Sequence, residues 1–225
     1  MSEKRMFVRR VWMSLAGVIL TALAIAMFKT AAIGVDPFQC FVTGINAVVS
    51  ISYGTVYVCI NLALLCFSLV LDRHYLGLAT FINLFLLGYM VEFFQKQLFG
   101  PQVRLTSPVQ CLLFAAGFVL TCFAASLYIT ADMGVSTYDA IALILTNKFR
   151  LGKFKYIRIG TDVGCVVIGA LLFWTGTGSS GSGTLVGVGT VITALGMGPV
   201  IDWFNRKVAR RLLGEGGEGA SGSVH

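Results

Sequence analysis

Ala16–Val35 reads AGVILTALAIAMFKTAAIGV, and Ala116–Val135 reads AGFVLTCFAASLYITADMGV. Nine of the twenty positions are identical: Ala16, Gly17, Leu20, Thr21, Ala24, Thr30, Ala31, Gly34 and Val35 recur 100 residues later. Apolar helices of low complexity match by accident fairly often, but these matches include glycine, threonine and a shared Gly-Val exit. A second pair extends the pattern. Gly77–Phe94 (GLATFINLFLLGYMVEFF) lies over Gly187–Phe204 (GVGTVITALGMGPVIDWF), with Gly77, Thr80, Ile82, Gly88 and Phe94 recurring at a shift of 110. Glu92 falls on Asp202, and the glycine-serine run Thr175–Thr184 accounts for the longer spacing. The chain therefore reads as two copies of one unit. In each, a long apolar helix ends at a Gly-Val turn. A short helix follows (Pro37–Ser50, Thr137–Thr146), then two more apolar helices.

The unit is built for lipid. The 225 residues are 56% hydrophobic and only 12% charged, with mean hydropathy +0.83. A soluble domain carries about a quarter charged residues. Uncharged runs cover Val11–Phe28, Gly54–Leu71, Leu76–Val91, Val109–Thr130, Val163–Trp174 and Leu185–Ile201. A spanning helix needs ~20 mostly apolar residues, and helices satisfy their own backbone in hydrocarbon. The short alternating segments of transmembrane strands are absent from the sequence. The start resembles a signal peptide, but its counterpart in mid-chain makes it part of the fold.

The net charge of +7 sits in short basic runs beside the apolar segments. Orientation during insertion explains it, and no nucleic acid is expected as a partner. With three spans per repeat and a cytoplasmic N-terminus, fourteen basic residues lie inside: Lys4, Arg5, Arg9, Arg10, Arg73, Lys148, Arg150, Lys153, Lys155, Arg158, Arg206, Lys207, Arg210 and Arg211. Three lie outside: Lys29, Lys96 and Arg104. An odd span number inverts the second repeat. If the short helices also cross, eight parallel spans give fifteen against two, so charge alone does not choose. Length favours six, because the uncharged stretch between Asp139 and Lys148 has eight residues. The expected fold is an all-α polytopic membrane protein: two three-helix repeats, inverted, each with an extra half-helix. The expected segments are a basic N-terminus (1–10), repeat one (11–100), a linker (101–107), repeat two (108–205) and a basic, then glycine-rich, tail (206–225). Both termini are expected in the cytoplasm.

The two turns are the first candidates for function: Gly34-Val35-Asp36-Pro37-Phe38-Gln39 and Gly134-Val135-Ser136-Thr137-Tyr138-Asp139. Asp36 before Pro37 suits an N-cap with proline at the first helical position. Ser136 and Asp139 approximate a capping box. Such starts are ordinary helix punctuation, or they are helix N-termini inside the membrane whose free N–H groups face a solute. Asn61 and Asp162, at near-equivalent places in the middle helices, are the other candidate binding residues. Arg158 stands four residues before Asp162 and can pair with it. Asp132 sits just before the second turn, while Glu92, Asp202 and Lys29 lie at helix ends, where water is near. Gly34, Gly134, Gly187, Gly189, Gly196 and Gly198 are expected to serve helix packing or hinging, with Gly196–Pro199 bending the last helix. Six scattered cysteines and two histidines give no metal pattern. No catalytic set, nucleotide loop or cofactor motif emerges, so no enzyme and no cofactor are expected.

These residues resemble a known family. The Gly-Val-Asp-Pro-Phe turn, the Gly187-Val188-Gly189-Thr190 start and the Gly198-Pro199-Val200-Ile201-Asp202 close look like the YczE/YyaS/YitT group of bacterial membrane proteins, most of all its YczE branch, over about residues 11–205. That branch has Pro-Trp-Asp after the first turn. Here Pro37 is kept, Phe38 and Gln39 replace the aromatic-acid pair, and Asp139 holds the acidic place in the second turn. The resemblance implies a multi-span inner-membrane protein and little about substrate. The expected partners are the lipid bilayer and an unidentified small solute, with association into a homo-oligomer left open. The expected function is secondary transport of a small solute. The alternative is a non-transporting accessory or assembly protein.

Overall fold

The computed structural model describes residues 3–49, 51, 53–72, 77–99, 106–177 and 186–213. Among them are nine α-helices and no strand. They are α1 (Glu3–Ala31), α2 (Pro37–Val48), α3 (Tyr53–Leu71), α4 (Leu78–Phe94), α5 (Ser107–Ala131), α6 (Thr137–Asn147), α7 (Phe154–Thr177), α8 (Val188–Phe204) and α9 (Arg210–Leu213). One wide helical turn of the π type extends α4 (Gln95–Phe99), and another joins α8 to α9 (Asn205–Ala209). The expectations for Arg73, Arg104, the Glu92 side chain, the run from residue 178 to 184 and the tail Gly214–His225 lie outside the described residues.

Local chemistry sets the boundaries. Asp36 caps α2, its Oδ1 accepting from the N–H groups of Phe38 (3.0 Å) and Gln39 (3.3 Å), with Pro37 in the first turn. Ser136 caps α6, its Oγ accepting from Asp139 N–H at 3.1 Å. Ahead of these caps, Ala32 and Asp132 both end their helices with φ of 54°. That left-handed conformation costs an L-residue roughly 1 kcal/mol, so the surrounding structure must impose it.

Pairing between helices fixes their directions. Gly17 of α1 packs on Ala124 and Tyr128 of α5, while Gly117 of α5 packs on Ala24 and Met27 of α1. Phe28 meets Phe114 with ring centroids 5.2 Å apart. Low numbers on one helix thus face high numbers on the other, and the pair is antiparallel. By the same logic α2 runs parallel to α7, with Gly44 against Gly169 and Ala47 against Gly176. Helix α3 runs parallel to α6, since Asn61 meets Thr137 and the Leu71 carbonyl meets Lys148 Nζ. The α1–α5 and α2–α7 seams are lined by glycine and alanine, as expected where no hydrophobic force drives helices together.

The usual distribution of polarity is inverted. Large apolar side chains point outward, Val70 at 84% exposure and Leu112 at 71% among them. Asn61, Ser68, Thr80, Ser126, Thr190 and Thr193 are buried. Three helices, Lys4–Ala31, Ser107–Ala131 and Phe154–Gly176, are long and apolar enough to cross a bilayer, and Thr55–Leu71 is a shorter apolar helix. At 1.5 Å per residue, the 25 residues of α5 reach past a hydrocarbon layer of ~30 Å. The chain is an all-helical membrane protein. Its six cysteines are free.

Two differences from the sequence reading stand out. Arg158, counted there with the cytoplasmic loop charges, is buried at 5% exposure. It sits in the second turn of α7, which opens at Phe154 rather than at the apolar run. Pro199 lies inside α8, which runs on to Phe204, so the Gly196–Pro199 stretch does not end the helix.

Candidate functional site

A cavity of about 90 Å³ lies among the helices. By this measure a water needs roughly 10–15 Å³, so there is room for several waters or one small solute. Thr21, Ile25 and Phe28 of α1, Thr80, Asn83, Leu84 and Leu87 of α4, and Thr121, Ala125 and Tyr128 of α5 form part of its wall. Asp36, Phe38 and Gln39 open onto it from the start of α2. Ser136, Thr137, Tyr138 and Asp139 do so from the start of α6. Tyr57, Asn61, Arg158, Met197 and Ile201 complete it. Thr121 lies fourteen residues from Ser107 and ten from Ala131 (121 − 107 and 131 − 121). At 1.5 Å per residue it is about 15 Å from the nearer helix end, half the thickness of the hydrocarbon.

The expected binding residues are brought together, though not all on the cavity wall. The rings of Phe38 and Tyr138, at matching places after the two turns, stack with centroids 5.0 Å apart. Thr137 Oγ1 donates to Asn61 Oδ1 at 2.7 Å, and Asn61 Nδ2 donates to the Tyr57 carbonyl at 2.9 Å. Asp162 is fully buried behind this wall. It accepts from the Tyr138 hydroxyl at 2.6 Å. Pro37 is likewise buried and off the wall.

The centre of the network is Arg158. Its Nη1 pairs with Asp139 Oδ1, its Nε lies 3.3 Å from Asp162 Oδ2, and its guanidinium sits 4.5 Å from the centre of the Tyr138 ring. Asp139, 2% exposed, also accepts from the hydroxyls of Tyr128 and Ser136. Ser136 and Asp139 thus make only half a capping box; the carboxylate turns inward to the arginine instead of back to the Ser136 N–H. A buried charge is tolerable when it is paired and hydrogen-bonded on every side. One wall residue lacks such support. Thr21 Oγ1 donates to the Gly17 carbonyl at 2.8 Å, the usual solution on a helix. Thr121, at the matching place on α5, is buried with no partner for its hydroxyl among the described residues. A hydroxyl left so costs about 1–3 kcal/mol unless something in the cavity bonds to it.

The glycines hold the turns in place. A Cβ on Gly34 would lie 2.5 Å from Thr190 N, and one on Gly134 2.5 Å from Gly77 N. Gly134 also has φ of +105°, which favours glycine. Thr190 Oγ1 accepts from Val35 N–H at 3.0 Å, and Thr80 Oγ1 donates to the Val135 carbonyl at 2.8 Å. Each turn is therefore seated on the last long helix of the opposite half. Gly187 faces the Ile33 carbonyl, Gly189 the Phe114 ring, Gly196 the Phe118 ring and Gly198 the Lys155 carbonyl. Away from the site, Asp132 lies 4.0 Å from Arg10, and Asp202 pairs with Arg206 at 3.1 Å on a helix end.

The helices, turns and glycines fit one described family. The model of the family of unknown function DUF6198 matches residues 8–206. The chain belongs to this family. It is similar to the uncharacterized membrane protein YczE of Bacillus subtilis, 23% identical over 205 residues that cover 87% of this chain and 89% of that protein. An uncharacterized protein of Haemophilus influenzae is 27% identical over 135 residues, 60% of this chain; the chain spans 56% of that protein's length. No solved structure matches. The YczE relative is described as a membrane protein, and none of these matches supplies a role for the cavity.

Sequence reasoning saw Arg158 only as a partner for Asp162, and passed over Tyr128, Tyr57, Asn83, Thr21 and Thr121 as site residues. Arg158 had a legible signal, a carboxylate one turn on at Asp162. The hydroxyls and Asn83 stand singly in apolar runs, where nothing in a linear pattern marks the inward face.

Proposed function

We propose that the protein is a secondary transporter of a small polar solute in the bacterial inner membrane. One observation carries the reading: the starts of α2 and α6, with the capping residues Asp36 and Ser136, open onto one cavity that is walled in part by two antiparallel long helices. A helix N-terminus presents unpaired N–H groups and about half a positive charge. In hydrocarbon such an end needs a polar partner, and the cavity is where water or a solute supplies it. Broken helices meeting at the midplane of a duplicated fold are a recurring transporter arrangement.

The same features support six spans, inverted repeats and cytoplasmic termini. Helix ends fall at residues 31 and 131, short-helix starts at 37 and 137, and the π-type turns at 95 and 205. The antiparallel α1 and α5 suit an odd number of crossings per repeat. The alternative, an accessory or assembly protein, uses the same glycines and caps only for packing, and leaves the buried Thr121 hydroxyl without purpose. The reading is also of a carrier rather than an enzyme.

The test is a thermal-shift screen of the purified protein against metabolites, followed by flux of each hit into proteoliposomes. Replacing Gln39 by Ala, on the cavity wall and outside the ionic cluster, should weaken ligand binding much more than folding. Stability and binding lost in equal measure, or no flux for any ligand that binds, would favour the accessory reading.

A further inference from the structure

Resting on that transport reading, the charges around the cavity point to the kind of solute. Three carboxylates and one cation gather around the cavity: Asp139, Asp162 and Arg158 are buried, and Asp36 is half-buried on the wall. Arg158 is shared by Asp139 and Asp162. Asp36 makes no ion pair among the described residues; its Oδ1 is engaged by the two backbone N–H groups it caps. The formal sum is one minus three, or −2. The starts of α2 and α6 return about half a positive charge each. With all three carboxylates ionised that leaves roughly one negative charge, which a proton on a carboxylate or a cation in the cavity balances.

A second, independent observation concerns the wall. Thr121 is nine-tenths buried, faces the cavity and has an unused hydroxyl. Its oxygen is free to accept. Beside Asp36, the rings of Phe38 and Tyr57 meet edge to face at 6.1 Å, and both line the cavity. A carboxylate next to aromatic faces suits an ammonium group, and an N–H of that group would satisfy Thr121. A carboxylate solute would instead meet Asp36 and an arginine already shared by two aspartates.

We propose that the cavity binds a small protonated alkylamine, its ammonium held by Asp36 and Thr121 and its alkyl part against Phe38 and Tyr57. Three probes of similar size separate the charges: ethylammonium, neutral acetamide and acetate. Each is titrated calorimetrically into the detergent-solubilised full chain. Ethylammonium should bind and the other two should not. Asp36→Asn keeps an equally good helix cap and so the fold, but should weaken ethylammonium at least tenfold. Thr121→Val should weaken it severalfold without lowering the melting temperature. Binding of acetate or acetamide that depends on Asn61, with none of ethylammonium, would overturn the amine assignment and leave the transport site standing. Ethylammonium binding unaltered in Asp36→Asn would place the amine elsewhere and overturn it too. No binding of any probe, with no metabolite binding in the wider screen, would remove both readings.

Discussion

Replacing Arg158 by Met tests whether the ionic cluster holds α6 against α7 at the site. Methionine keeps most of the side-chain length and removes the charge. Asp139 would keep the Tyr128 and Ser136 hydroxyls, and Asp162 the Tyr138 hydroxyl. Both carboxylates would lose their cation. Removing one member of a buried pair costs about 3–5 kcal/mol, because the other is left charged and uncompensated. Losing the guanidinium over Tyr138 adds about 0.5–2 kcal/mol. Against a total stability of roughly 5–15 kcal/mol, that is a large share. At about 2–4 °C per kcal/mol for a chain this size, the melting temperature should fall by roughly 10 °C or more. Arg158→Lys should fall between, since an ammonium cannot meet Asp139 and Asp162 together in the guanidinium's fork. The decisive measurement is the coupling. Adding Asp139→Asn and Asp162→Asn to Arg158→Met should restore more than half of the lost stability. Thermal unfolding followed by size-exclusion fluorescence in detergent reads the parent and all three variants. Additive losses, or a fall of under 2 °C for Arg158→Met, would refute the claim that this cluster is an energetic centre.

Three further expectations follow from the same geometry. Gly134→Ala should destabilise by about 1–3 kcal/mol through collision with Gly77 and backbone strain, more than Gly34→Ala, which meets Thr190 without the strain; equal melting temperatures for both variants and the parent would contradict the seating of the turns. Thr80→Val and Thr190→Val should each cost about 0.5–1.5 kcal/mol, and a loss at only one would argue against equivalent roles for the two threonines. In a background without native cysteines, a cysteine at Arg104 should label from the periplasmic side and one at Lys153 from the cytoplasmic side; labelling of both from one side would reject six spans.

The sequence carried the helix starts almost to the residue. Asp36-Pro37 and Ser136 announce α2 and α6 because capping is local chemistry, decided within four residues. The final extent of α7 was less legible. Its first turns carry Lys155 and Arg158, which a hydropathy pattern reads as loop, while burial of Arg158 depends on Asp139 from a different helix. A linear reading weighs a charge by its neighbours in the chain and not by a partner 19 residues away. The stacking of Phe38 on Tyr138 was legible only as two aromatics at one offset. That they meet depends on how the half-helices converge. The inward faces of α1 and α5 were hidden for another reason: buried polar groups in a lipid-facing fold have no amphipathic stripe to betray them.

The crossed seating of the turns has a consequence for synthesis. Val35 N–H bonds to a hydroxyl 155 residues further along the chain. At ~5–20 residues per second, its partner leaves the ribosome roughly 8–30 s later. Through that interval the first half has its helices but lacks the residue that docks its turn. A chain stopped before Thr190 would carry that deficit permanently. The second half alone would lack Thr80 for Val135 in the same way. Neither half is therefore a finished folding unit, and two separately expressed halves should be recovered in quantity only when made together in one cell.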